Sequence, residues 1–291
     1  VIGVRYAELI GDPVAHSKSP LIHKFWLEKL GIDGDYRAVQ VRPGELSGYF
    51  AARRADPLWR GCNVTMPHKQ SVLPCLARLD PAAKRAAAVN TIVRSDDESR
   101  HGFNTDVRAV AELLLSHERR PYPNHVATYV QIIGAGGAAK AAAIGAFRAS
   151  FGDLEFYNRT LSKARAMAAW AGLPPDAYGA PLEALGPIRN PGDGLEEQRY
   201  SHVIINASSM GMEGFPEVPV DLSLYYPDTV VFDMVYHPLE TGLLRQARAL
   251  GLRMIDGLQM LVAQAAHAFV LFFGVEPPRE HDDDLRELLT S

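Results

Sequence analysis

At 291 residues, 47% apolar and 22% charged, the chain is long enough for two domains and has the make-up of a packed globular protein, which excludes a disordered polypeptide. A formal charge of −4 without a basic block argues against a dedicated nucleic-acid surface, and no uninterrupted apolar run reaches the roughly 18 residues that a membrane span needs. Cys62 and Cys75 are too few for a disulfide scaffold or a cysteine-rich zinc site, the histidines lack metal-ligand spacing, and the opening VIGVRYAELIGDP lacks the pattern of a signal peptide. The expectation is a soluble, cytoplasmic protein with no metal and no membrane or nucleic-acid partner.

In chain order, residues 7–11 read as a strand, and Ser19-Pro20 opens a helix in which Leu21, Ile22, Phe25, Trp26 and Leu30 recur at helical spacing until Gly31. Residues 36–41 and 62–66 follow as strands, with Pro67 at a first helical position. Residues 89–94, a polar turn at 95–99 and residues 101–103 form a hairpin. Val107, Val110, Ala111, Leu114 and Leu115 make a helical stripe, and the Pro-rich stretch 119–124 reads as a domain seam. A second series then alternates: strand 128–133, a glycine turn, an Ala-rich helix, strand 154–158 and helix 161–171. Residues 173–200 read as mostly loop with a short helix near 181–185. Strands at 202–207 and 229–235 and helices near 240–250 and 257–273 complete the chain. Alternation of this kind implies an α/β fold with a largely parallel sheet and room for an antiparallel strand.

The strongest short motif is Gly134, Ala135, Gly136, Gly137 and Ala138, continued by Ala139, of the form GxGxxA between a strand and a helix. There the glycines let the chain turn sharply and bring backbone N–H groups to a pyrophosphate at a helix N-terminus. At the end of the next strand, where an NAD site carries an acid, stand Asn158, Arg159 and Thr160, with Lys163 one turn on. Cations there favour the 2′-phosphate of NADP. The same residues also suit a plain helix start, with Asn158 or Thr160 as its cap.

Ser17 and Ser19 place two hydroxyls just before a helix, a carboxylate-binding arrangement, although Ser19 also suits a simple cap. Lys69, in Asn63-Val64-Thr65-Met66-Pro67-His68-Lys69, sits at the positive end of a helix and is a proton-transfer candidate. Asp106 caps the following helix or faces Lys69. Spacing alone does not bring the two together.

Taken in order, GDPVAHSKSP (11–20), NVTMPHK (63–69), AVNT (88–91), NTD (104–106), GAGGA (134–138), NRT (158–160), DMVY (233–236) and GLQMLVAQAAHAF (257–269) resemble the shikimate/quinate dehydrogenase family over nearly the whole chain. That resemblance implies two domains: an N-terminal α/β substrate domain, residues 1–106, completed by C-terminal helices from 257–291, and a Rossmann NADP-binding domain, residues 107–256. It implies NADP-dependent, reversible reduction of 3-dehydroshikimate to shikimate, in a monomer or homodimer. Lys69 and Asp106 would be the catalytic pair. Ser17, Ser19, Thr65, Asn90, Tyr236 and Gln264 would hold the substrate. Gly134, Ala135, Gly136, Gly137, Ala138, Asn158, Arg159, Thr160, Lys163, Ser208, Met234 and Gly257 would hold the cofactor. Quinate as substrate and a non-catalytic nucleotide-binding regulator are the alternatives. Two departures from the family pattern stand out: Ala87 where glycine is usual, and Arg108, expected to face solvent.

Overall fold

The computed structural model describes residues 3–117, 128–187 and 201–291. It divides the chain into two compact units, Val1–Arg108 with Val262–Ser291, and Ala109–Leu261. The seam expected at 119–124 lies outside the described residues, as does the 188–200 part of the expected loop.

The first stretch runs β1 (Arg5–Gly11), α1 (Ser19–Lys29), β2 (Gly34–Gln40), α2 (Leu46–Arg53), β3 (Trp59–Val64), α3 (His68–Ser71), β4 (Arg78–Leu79), α4 (Pro81–Ala86), β5 (Thr91–Arg94), β6 (Arg100–Phe103) and α5 (Thr105–His117). Its strands form a six-stranded sheet in the order β2-β1-β3-β5-β6-β4. The β1 pairings to β2 and β3 are parallel, whereas β5 runs antiparallel to both β3 and β6. β1 is buried from Tyr6 onward, as an interior strand with parallel neighbours must be. Asp80 caps α4 by accepting the Ala83 N–H at 2.8 Å, and Ala87 ends that helix in the left-handed region at φ 50°.

The second stretch runs β7 (Thr128–Ile133), α6 (Gly137–Arg148), β8 (Asp153–Asn158), α7 (Leu161–Ala171), α8 (Pro175–Tyr178), β9 (Gly179–Pro181), β10 (Ser201–Asn206), β11 (Val230–Asp233), α9 (Gly242–Ala249) and β12 (Arg253–Ile255), and is followed by α10 (Gly257–Phe273) and α11 (Asp282–Thr290). Its sheet, in the order β12-β11-β10-β7-β8-β9, is parallel at every pairing. Buried apolar residues such as Ile133, Ile204, Val231, Leu243 and Leu244 pack on it. The two unit boundaries fall inside α5 and α10.

The differences from the sequence reading are local. The strand expected at 62–66 starts earlier and stops at Val64, before the turn that holds Thr65 and Met66. The helix expected near 181–185 is a single 3-10 turn, Leu182–Ala184, preceded by α8 and by β9, which pairs with β8. Helices α2, α4 and α11 go unread in the sequence, and each buries only part of its surface: Leu46, Tyr49 and Phe50 in the first, Ala82, Ala83 and Ala86 in the second, Leu285 and Leu289 in the third. No described helix is long and apolar enough to cross a membrane.

Candidate active site

In the first unit the antiparallel ladder does the assembling. Asn63 on β3 pairs with Thr91 on β5, and Thr91 pairs with Phe103 on β6. The three strands therefore bring the segments around Asn63, Asn90 and Asn104 to one edge. Backbone bonds fasten that edge: Val64 N–H to Asn90 O at 2.8 Å, Asn90 N–H to Phe103 O at 3.1 Å, and Val89 N–H to Lys69 O at 2.8 Å. The turn after β3 delivers Lys69, and the first turn of α5 delivers Asp106. Lys69 Nζ donates to Asp106 Oδ2 at 2.8 Å, with the side chains 31% and 11% exposed, so the pair is sheltered yet open to a ligand.

Ser17, half-buried, and Ser19, buried at the start of α1, lie with their hydroxyls 3.3 Å apart. Lys18 between them donates to Leu289 O at 2.7 Å, which ties this loop to the last turn of α11. The serine loop and the Thr65 turn are laced by backbone, Thr65 N–H to Ile10 O and Asp12 N–H to Met66 O, both 2.9 Å. Gln264, half-buried on α10, also belongs to this unit. Arg108 is exposed.

Beneath this edge lies a buried aromatic layer. The His23 imidazole stacks on Tyr36 at 3.9 Å between ring centres and 3° between planes, with Trp26 edge-on at 5.8 Å and Phe269 stacked at 5.8 Å with its plane 25° away. Burial without a hydrogen-bond partner for either ring nitrogen pushes its pKa down to about 3, so it is neutral there.

The second unit builds its candidate site from strand ends. Ile133, Tyr157, Asn206 and Asp233 are in register across β7, β8, β10 and β11. The residues that follow them, Gly134, Asn158, Ser208 and Met234, therefore gather along the carboxyl edge of a parallel sheet, the edge where such sheets bind ligands. Gly134 sits at φ +122°, where a Cβ would lie 2.8 Å from Ala207 O. Over Gly136, by contrast, a Cβ would meet open space, and α6 begins there without a side-chain cap. The first N–H groups of a helix have no carbonyl one turn before them, and those at this glycine turn, with Ala135, Gly137 and Ala138, fit a pyrophosphate. Asn158 Oδ1 accepts the Thr160 N–H at 2.9 Å and so shapes the start of α7, while Arg159, Thr160 and Lys163 are exposed.

Ser208 donates to Asn206 Oδ1 at 2.7 Å and accepts from Met210 N at 3.1 Å, which fixes the turn after β10. Asn206 in turn donates to Asp233 Oδ1 at 2.9 Å, and Thr241 donates to Asp233 Oδ2 at 2.7 Å. Burial pushes the Asp233 carboxyl up to about 6 against these bonds. A side chain on Gly257 would run into Val235 O, so the start of α10 passes against the segment that carries Met234 and the half-buried Tyr236.

Sequence reasoning missed the supporting residues. Asn63, Thr91, Thr105 and Asp233 lie in quoted motifs and Asn206 at the end of the strand read at 202–207, but their pairing crosses strands and has no local spacing to announce it.

The model for the shikimate dehydrogenase substrate binding domain matches residues 9–92, and that for the shikimate 5′-dehydrogenase C-terminal domain matches residues 257–282. A shikimate dehydrogenase (NADP(+)) from Sphingopyxis alaskensis is 46% identical over 98% of this chain and 97% of its own. Among solved structures, shikimate 5-dehydrogenase from Thermus thermophilus, in complex with NADP(H) and shikimate, superposes with a TM-score of 0.81 at 32% identity, covering 98% of this chain and 99% of that one. Quinate dehydrogenase from Corynebacterium glutamicum, in complex with NAD, has a TM-score of 0.81 at 29% identity, covering 99% of each chain.

Proposed function

The chain belongs to the shikimate dehydrogenase family, and from that premise we propose that it reduces 3-dehydroshikimate to shikimate with NADPH, reversibly, through the Lys69–Asp106 pair. The observation that carries the reading is the 2.8 Å contact of these two side chains at an edge lined by buried amides and hydroxyls.

NADPH, when bound, supplies the hydride. The residues of this chain handle the proton and the orientation. Lys69 Nζ donates a proton to the ketone oxygen as negative charge develops there, and in the oxidative direction takes it from the hydroxyl. Asp106 holds the ammonium in place and limits its rotation. Ser17 and Ser19 bind the carboxylate, Thr65 and Asn90 bind ring oxygens, and Tyr236 and Gln264 keep the substrate-holding roles that the resemblance implies. Gly134, Ala135, Gly136, Gly137 and Ala138 cradle the pyrophosphate. Arg159, Thr160 and Lys163 face the 2′-phosphate, with Asn158 setting their turn, while Ser208, Met234 and Gly257 serve the nicotinamide end. In this reading residues 1–106 with 257–291 form the substrate domain and 107–256 the cofactor domain. The protein acts in the cytoplasm as a monomer or homodimer, a setting that suits its two free thiols, Cys62 and Cys75.

Lys69→Ala tests the proposal. Turnover should fall by about 10²–10⁴-fold, the range for losing a positioned acid–base group, with NADP affinity unchanged. Turnover equal to that of the unaltered protein would remove Lys69 from the mechanism.

A further inference from the structure

One buried chain of hydrogen bonds links the aromatic layer to the catalytic edge. Tyr36 on β2 donates its phenol to Asn63 Oδ1 at 2.6 Å. Asn63 Nδ2 donates to Thr91 Oγ1 at 2.9 Å and to the backbone carbonyl of Asn90 at 3.2 Å. Thr91 Oγ1 donates to Asn90 Oδ1 at 3.1 Å, and Asn90 Nδ2 donates to Thr105 Oγ1 at 2.9 Å. Tyr36 and Thr91 are fully buried, and Asn63, Asn90 and Thr105 nearly so.

The direction of this chain is not free, because the backbone sets it at two points. The Asn90 carbonyl can only accept, so the facing atom of Asn63 is its amide nitrogen. Similarly, the Thr105 N–H can only donate, and it reaches Asn90 Oδ1 at 2.8 Å, so the Asn90 oxygen points inward. With Asn63 Nδ2 donating to Thr91 Oγ1, the Thr91 proton serves Asn90 Oδ1 at 3.1 Å or Thr105 Oγ1 at 3.3 Å, and the Thr105 hydroxyl also reaches Asn90 Oδ1 at 3.2 Å, so the two hydroxyls together supply the inward-facing oxygen. The Asn63 oxygen then requires a donor from behind, which the Tyr36 phenol supplies. The Tyr36 ring cannot swing away, since His23 lies flat against it.

We propose that Tyr36, acting through Asn63 and Thr91, is a positioning residue that locks the Asn90 carboxamide with its oxygen inward and its remaining amide proton toward the substrate. Asn90 therefore meets the ligand as a donor, and the site selects an acceptor, a hydroxyl or ketone oxygen, at that point. The same chain steadies Thr105, the residue before Asp106. The side-chain bonds of Tyr36 and Asn63 described above run to each other, Asn90 and Thr91. Their effect on the reaction passes through Asn90.

The inference rests on the function proposed above, and a double-mutant cycle separates the two. Tyr36→Phe keeps the ring and its stacking and removes one donor. It should lower kcat/KM for shikimate about tenfold and leave the KM for NADP unchanged, as expected for one misdirected hydrogen bond. In an Asn90→Ala background the same Tyr36→Phe change should have no further effect on kcat/KM. A role in folding alone would shift thermal stability and persist in that background. Asn63→Asp supplies a second variant: its carboxylate would accept the Thr91 proton and take it from Asn90, and the loss in kcat/KM should match or exceed that of Tyr36→Phe. An active unaltered protein with unchanged kcat/KM in Tyr36→Phe, or equal losses in both backgrounds, overturns the positioning role. An unaltered protein that does not turn over shikimate overturns the function on which that role depends.

Discussion

The two units prepare their candidate residues by opposite means. In the first, side chains hold side chains: Lys69 is paired to Asp106, and Asn90 is enclosed by Thr91 and Thr105 below the surface. In the second, the phosphate end is shaped by backbone, with a glycine turn against Ala207 and an uncapped helix start, while Arg159 and Lys163 stand exposed and side-chain bonds fix the Ser208 turn. The difference follows from the ligands proposed for each. A small, rigid polyol acid is recognised by a fixed pattern of donors and acceptors, and such a pattern must be built before the ligand arrives. A phosphate needs only converging N–H groups and a cation, which backbone and mobile surface side chains supply.

Arg159→Ala breaks the second arrangement and leaves the first alone. Loss of a charge-assisted contact to a phosphate is expected to raise the KM for NADP by about 10–100-fold with kcat at saturating cofactor within about twofold. The KM for NAD, measured beside it, should change little. An equal loss for both cofactors would put Arg159 outside the 2′-phosphate contact.

Acid sharpens the comparison, because the two units carry buried groups of opposite sign. His23 in the first has its pKa lowered to about 3 from an ordinary 6.5, so below pH 6.5 the unfolded chain binds a proton that the folded one refuses. Stability from this group is complete above pH 6.5 and falls as pH drops toward 3, by about 1.4 kcal/mol per unit, or about 2 kcal/mol from pH 6.5 to 5. Asp233 in the second has its pKa raised from 3.8 to about 6, so there the folded chain holds the proton and stability rises as pH falls from 6 toward 3.8. Urea unfolding of His23→Phe across pH 5 to 7 should show a flatter acid limb than the unaltered protein. Parallel curves would place His23 in contact with solvent.

The smallest expected effect concerns one residue of the first unit. Ala87 closes α4 in the left-handed region, where a Cβ costs about 1–2 kcal/mol, partly offset by the greater freedom of glycine in the unfolded chain. Ala87→Gly should stabilise by about 0.5 kcal/mol and raise Tm by about 1–2 °C. A lower Tm would mean that its backbone is held by more than this helix end.

Much of this was legible beforehand, and the parts that were not share a cause. The glycine turn, its flanking strand and helix, and the Asn158-Arg159-Thr160 corner are contiguous, so period and spacing locate them. The fold class was readable too, since strands and helices alternate at lengths the two periodicities distinguish. The meeting of Lys69 with Asp106 depends on the β3, β5 and β6 register, which no local pattern encodes. The buried chain from Tyr36 to Thr105 is less legible still, for it draws on four segments. Strand β12 escaped because three residues carry too little periodicity, and α11 because it buries only Leu285 and Leu289 behind an opening of three aspartates, Asp282, Asp283 and Asp284.

The most direct test of the whole account is a set of initial rates, followed by the absorbance of reduced nicotinamide, for shikimate and quinate each with NADP and with NAD. The account predicts rapid reduction of cofactor with shikimate and NADP, and much slower rates in the other three mixtures. A preference for quinate or NAD would contradict the substrate or phosphate assignment. No rate in any mixture, with NADP still bound, would contradict catalysis itself.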